Sequence, residues 1–142
     1  MNQESPSSIG LEELRRQLDA ALEDGALDQD VRAAALTALE FCELLSDQLD
    51  EDQRNACHAA QQFWMEGSTD ARIHWLSIYS KRLDAAGKLS DLDRLIWCSL
   101  NSNTGMSDHM AEFLVLLGRD VGLEPAEMKS VFSKHIPNLD GY

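Results

Sequence analysis

The sequence predicts an all-α protein, and three observations carry that prediction. Gly25, Gly67, Gly87, Gly105 and Gly122 each close an apolar-periodic stretch, and a helix-starting group follows each within three residues: Asp28, Ser68 and Thr69, Ser90, Ser107, and Pro125. Glycine takes the left-handed conformation that ends a helix, and Asp or Ser accepts the free N–H groups at the start of the next. No segment shows the sustained alternation of a strand, whereas apolar residues recur at helical spacing along most of the chain. A length of 142 residues, 44% hydrophobic with three prolines, suits one substantial core. The expected architecture is a compact single-domain bundle of about six or seven helices with short Gly-containing connections over residues 10–137. A flexible N-terminal segment, 1–9, and a C-terminal tail, 138–142, flank it.

The first helix runs from Gly10 to about Asp24, with Leu11, Leu14, Leu18, Ala21 and Leu22 on one stripe and charge on the other. A second begins after Asp28 and carries Val31, Ala35, Ala38, Cys42, Leu45 and Leu49. Periodicity leaves open whether it continues to Glu66 or breaks near Asp50, which could cap a new helix. The next starts at Ser68, Thr69 or Asp70 and holds Ile73, Leu76, Tyr79 and Leu83 before Gly87. Trp75 and Ile78 widen its apolar face, which predicts deep packing. Ser90, with Asp93 three residues on, is a partial capping signature for a short helix from Asp91 to about Leu100, holding Leu92, Leu95, Ile96 and Trp97. After the polar loop 101–105, a helix from about Asp108 to Val121 carries Met110, Phe113, Leu114 and Leu117. The last opens with Pro125 at its first position, carries Met128, Val131 and Phe132, and ends near Pro137.

Net charge is −13. Residues 1–71 hold 16 acids and 4 bases, and residues 72–142 hold 9 acids and 8 bases. Such acidity disfavours direct binding to nucleic acid or anionic membranes and complements a basic protein, although acidity for solubility alone gives the same composition. No run of about 18 apolar residues could cross a bilayer. The first eight residues have neither a basic start nor an apolar stretch, so a cytoplasmic location is expected. Cys42, Cys57 and Cys98 are odd in number, widely spaced and set among apolar neighbours, which reads as buried small hydrophobes in a reducing compartment.

The most suggestive surface lies within residues 33–53, where Glu40, Glu43, Asp47, Asp50, Glu51 and Asp52 occur with no Lys or Arg. On a continuous helix at about 100° per residue, Glu40, Glu43, Asp47, Asp50 and Glu51 fall nearly opposite the apolar stripe. Leu36 and Leu39 project on or beside the acidic side. Carboxylates around an aliphatic anchor suit a basic protein partner, since charge steers encounter and desolvated apolar contact sets residence. An ordinary solvated helix face has the same pattern.

Other chemistry has weaker support. The loop 101–105 alternates oxygen side chains before Gly105, but an EF-hand starting at Ser99 would place Met110 at its twelfth position, and one starting at Asn101 would place Met106 where glycine belongs. His58, His74, His109 and His135 make no zinc spacing, and no metal or cofactor is expected. A nucleophilic Cys57 or Cys98 would need a base brought by folding, and no nucleotide-binding or metalloprotease motif is present, so catalytic residues are not expected. Trp64, Trp75 and Trp97 lie on apolar stretches and read as core.

Residues 92–132 carry an apolar helix ending at Leu100, the Gly105-Met-Ser-Asp108 junction, a helix containing Phe113 to Leu117, and then the run through Gly122, Leu123, Glu124 and Pro125 to Glu127. In this they resemble the helical arrangement of TerB-like domains associated with tellurite resistance and stress responses. The resemblance implies a stress-response or regulatory domain. That family usually has Asp-Gly and metal-holding acidic residues at the junction where Thr104 and Gly105 stand here.

The leading expectation is a small acidic protein-binding protein, an inhibitor or immunity protein that neutralises a basic toxin or effector acting on nucleic acid or nucleotides. It would act by occlusion, with Leu36, Leu39, Glu40, Glu43, Asp47, Asp50 and Glu51 as its contact residues. Self-association into a homo-oligomer is a further possibility. A TerB-like regulatory domain and, third, a cysteine-dependent enzyme are the alternatives.

Overall fold

Seven α-helices follow one another, with no strand among the described residues: α1 (Leu11–Glu23), α2 (Ala33–Leu44), α3 (Glu51–Glu66), α4 (Asp70–Ala86), α5 (Asp91–Leu100), α6 (Asp108–Asp120) and α7 (Pro125–His135). The computed structural model describes residues 9–25, 32–101 and 107–142. The expected flexible residues 1–8, the Leu27 and Asp28 part of the first junction, Val31, and the loop 102–106 with Gly105 lie outside the described residues. No helix among the described residues is long and apolar enough to cross a membrane.

The expected caps form where both partners are local. Gly67 and Gly87 close α3 and α4 at φ 73° and 79°, a region any side chain would strain. The Ser90 hydroxyl accepts from the Asp93 N–H, and the Ser107 hydroxyl from the Met110 N–H. Pro125 opens α7, where its missing N–H costs nothing.

The chain breaks between α2 and α3. A 3-10 turn at Ser46–Gln48 is followed by extended Leu49 and by Asp50, whose carboxylate accepts from the Gln53 N–H at 2.7 Å while the Gln53 side chain accepts from the Asp50 N–H at 2.9 Å. This capping box satisfies two otherwise orphaned donors at once and makes residues 33–66 two helices. Leu45 and Leu49, one on each side of the turn, both remain buried.

Helix α2 is the central element. It packs most extensively against α5 and also touches α3, α6 and α7. Eight of its twelve residues are buried, on several sides rather than one stripe. Ala33, Ala34, Ala35 and Ala38 let neighbouring helices come close, and Phe41 meets the ring of Phe132 edge to face at 5.6 Å. At Gly118 on α6 a Cβ would stand 2.5 Å from the Met128 sulfur and 3.3 Å from the Phe41 ring, so the glycine admits both side chains.

Two expectations are corrected. Helix α4 is not deeply packed: Tyr79 is its one buried residue, and Ile73 and Leu83 are exposed. The helix lies on the outside, packed chiefly against α3 and α5, so part of its broad apolar face is left in solvent. The expected tail 138–142 is part of the fold. Asn138 turns through φ 58°, Leu139 is buried, and the Tyr142 carbonyl accepts from the Arg16 guanidinium at 2.7 Å, which ties the end of the chain to α1.

Candidate protein-docking surface

The break after Leu44 changes the phase on which the acidic face was reckoned, and the seven sequence-picked residues separate into different roles. Leu39 is not a surface anchor: it is 2% exposed, because α2 is enclosed on the side where it points. Leu36 is half-buried. Glu40 is committed internally, since its carboxylate meets the Lys134 Nζ at 3.1 Å and the His135 Nε2 at 2.7 Å on α7. Asp50 is committed to the α3 cap. Glu43, Asp47 and Glu51 stay exposed, and none of them has an ion-pair partner among the described residues, although Glu43 accepts a hydrogen bond from the Gln61 side chain at 3.2 Å.

The charge imbalance between the chain's halves is not kept in space. Bases from the second half reach acids of the first: Lys134 pairs with Glu40, and Arg82 meets Asp52 at 2.7 Å. Arg15 of α1 in turn pairs with Glu112 of α6. Other guanidinium groups lie over aromatic faces, as Arg72 does over Phe63 and Arg32 over Trp64, and Arg82 lies over Tyr79 as well. The net charge is therefore carried by particular unpaired carboxylates.

The apolar partner of those carboxylates is Leu44, the last residue of α2, with 49% of its surface exposed. It escapes sequence reading because Leu44 and buried Leu45 are adjacent in an equally apolar run. Leu44, Glu40 and Glu43 line one side of a shallow groove of about 490 Å³, and Ala126, Val131 and Lys134 of α7 line the other. Glu43 also borders a smaller cleft of about 150 Å³ between α2 and α3. The ridge formed by Glu43, Leu44 and Asp47 thus offers an aliphatic contact, a concavity beside it and carboxylates free to take cationic partners.

A larger concavity, about 1120 Å³, lies elsewhere, between the end of α4 and helices α5 and α6. Leu83, Leu89, Trp97, Met110 and Phe113 make its apolar walls. Arg94 lies over the Phe113 ring at 4.9 Å and 3.5 Å from Asp91.

Among the described residues no group of three or more His, Cys, Asp or Glu could hold a metal ion. His135 is taken by Glu40, and His74 packs edge to face on Trp75. Burial pushes the Cys98 thiol up to about 11, which keeps it mostly protonated at neutral pH. Trp64, Trp75 and Trp97 sit half-buried at the core margin, and the Trp64 indole donates to the Ser99 carbonyl at 2.8 Å. Comparison with protein-family models, with curated proteins and with solved structures finds no match for the chain.

Proposed function

We propose that the protein is a binding protein that docks the ridge at the end of α2 onto a basic protein surface and acts by occlusion. A toxin or effector that handles nucleic acid or nucleotides is the natural class of target, because its working surface must be cationic to meet phosphate. The observation that carries this reading is Leu44, half-exposed between Glu43 and Asp47 at the edge of the α2–α7 groove. A desolvated leucine supplies residence while the flanking carboxylates, and Glu51 beyond the turn, speed encounter. Glu40 and Asp50 support the ridge from within the fold.

The test is a pull-down from the native host at low and moderate salt, followed by measured affinity for whatever basic protein is retained. The Glu43→Lys/Asp47→Lys variant should lose capture and flatten the dependence of affinity on salt, and Leu44→Asp should raise the dissociation rate. Affinity for that protein unchanged in both variants would refute the assignment of this ridge.

A further inference from the structure

Cys42 on α2 and Cys57 on α3 stand 15 positions apart in sequence, and folding sets both on one small cleft, near enough for Cys57 to act on the ionisation of Cys42. Both line the 150 Å³ cleft between the two helices, together with Glu43, Arg54, His58 and Gln61. Cys42 is fully buried, and Cys57 is partly exposed. Cys98 of α5 is near enough to act on Cys42 electrostatically, but it lines the cleft on the α4–α6 side instead. Cys42 and Cys57 therefore share a solvent-reaching cavity from which Cys98 is absent.

We propose that Cys42 and Cys57 form a peroxide-oxidisable dithiol that closes to an intramolecular disulfide bridging α2 and α3. The cleft has room for the oxidant, since a water molecule takes about 30 Å³ of liquid and hydrogen peroxide only about a third more. The bond requires the two sulfurs to close across this cleft to about 2.05 Å.

The accessible thiol reacts first. The Cys57 sulfur attacks one peroxide oxygen, the O–O bond breaks, and the departing hydroxide leaves as water with the thiol proton, which makes a sulfenic acid on Cys57. The Cys42 sulfur then attacks the Cys57 sulfur, the S–O bond breaks, and a second water leaves with the Cys42 proton. Two electrons pass from the two thiols to one peroxide. Cys42 is fully buried and Cys57 partly exposed, so Cys57 meets the oxidant and Cys42 enters as the resolving sulfur. This pair does not depend on the docking reading.

The experiment is brief exposure of the folded full chain to hydrogen peroxide, then acid quenching, intact mass and non-reducing peptide mapping. The expected result is a monomer lighter by two hydrogens, restored by dithiothreitol, with the Cys42 and Cys57 peptides joined. The loss persists in Cys98→Ala and disappears in Cys57→Ser. Oxygen addition at Cys57 without loss of two hydrogens, pairing of either thiol with Cys98, or intermolecular dimers would each overturn the proposal. So would a folded protein inert to peroxide whose urea-unfolded form reacts. The peptide map of the unmodified sequence decides the matter even where a cysteine variant fails to fold.

Discussion

Leu39 and Leu44 occupy one helix five positions apart, and the structure assigns them opposite consequences on truncation. Leu39 is 2% exposed in the central helix, and Leu44 is 49% exposed at its end. Leu39→Ala removes a fully enclosed side chain and leaves a cavity that α2, held by α3, α5, α6 and α7, cannot collapse, so a loss of about 2–5 kcal/mol follows. Full burial of a leucine is worth about 1.5–3 kcal/mol, of which Leu44 realises roughly half. Leu44→Ala leaves no closed cavity and should cost about 1 kcal/mol or less. At roughly 2.1 cal/mol/K of unfolding entropy per residue, 142 residues make 1 kcal/mol worth about 3 °C. Leu39→Ala should therefore lower Tm by about 6–17 °C, and Leu44→Ala by about 3 °C or less. Urea titration followed by circular dichroism gives the same comparison at constant temperature. Equal losses for the two variants, or a larger loss for Leu44→Ala, would refute the placement of the α2 faces and with it the docking ridge.

Three further outcomes follow from named contacts. Glu40→Ala should destabilise by about 1–2 kcal/mol through loss of charged hydrogen bonds in a partly buried site, and a double-mutant cycle with His135→Ala should show a coupling between the two positions. Asp50→Ala, which removes half of the α3 capping box, should cost about 1 kcal/mol in urea unfolding, with Asp50→Asn retaining most of it. Burial raises both Cys98, from 9.0 to about 11, and Tyr79, so the native state holds protons that the unfolded chain releases first; stability should be flat below about pH 9 and fall between pH 9 and 11, as read from urea midpoints across that range.

The acidic site was only partly legible in sequence. Glu43, Asp47 and Glu51 are exposed as the pattern suggested, because charge with no nearby base has nowhere better to go than water. Glu40 looks identical in sequence, yet its partners Lys134 and His135 lie 94 and 95 residues away. Asp50 was read both as a cap and as a contact residue, and the Gln53 hydrogen bonds make it a cap. Leu44 gave no signal at all, because nothing local separates it from Leu45.

What the sequence by itself determined is the succession of helices and their ends. Ser90, Ser107, Pro125, Gly67 and Gly87 act on backbone groups within three or four residues, so their effect is decided before any long-range contact forms. Only the tertiary structure decided which faces are buried. Helix α2 has apolar or small residues almost all round, and a helix of that composition takes whatever burial its neighbours supply. Helix α4 has a similar apolar breadth but lies at the edge, so Ile73 and Leu83 stay in water. The meeting of Cys42 with Cys57 likewise depends on the bend at Ser46–Gln48, which folds α3 back against α2. Burial is a property of the neighbours as much as of the residue, and those neighbours come from distant parts of the chain.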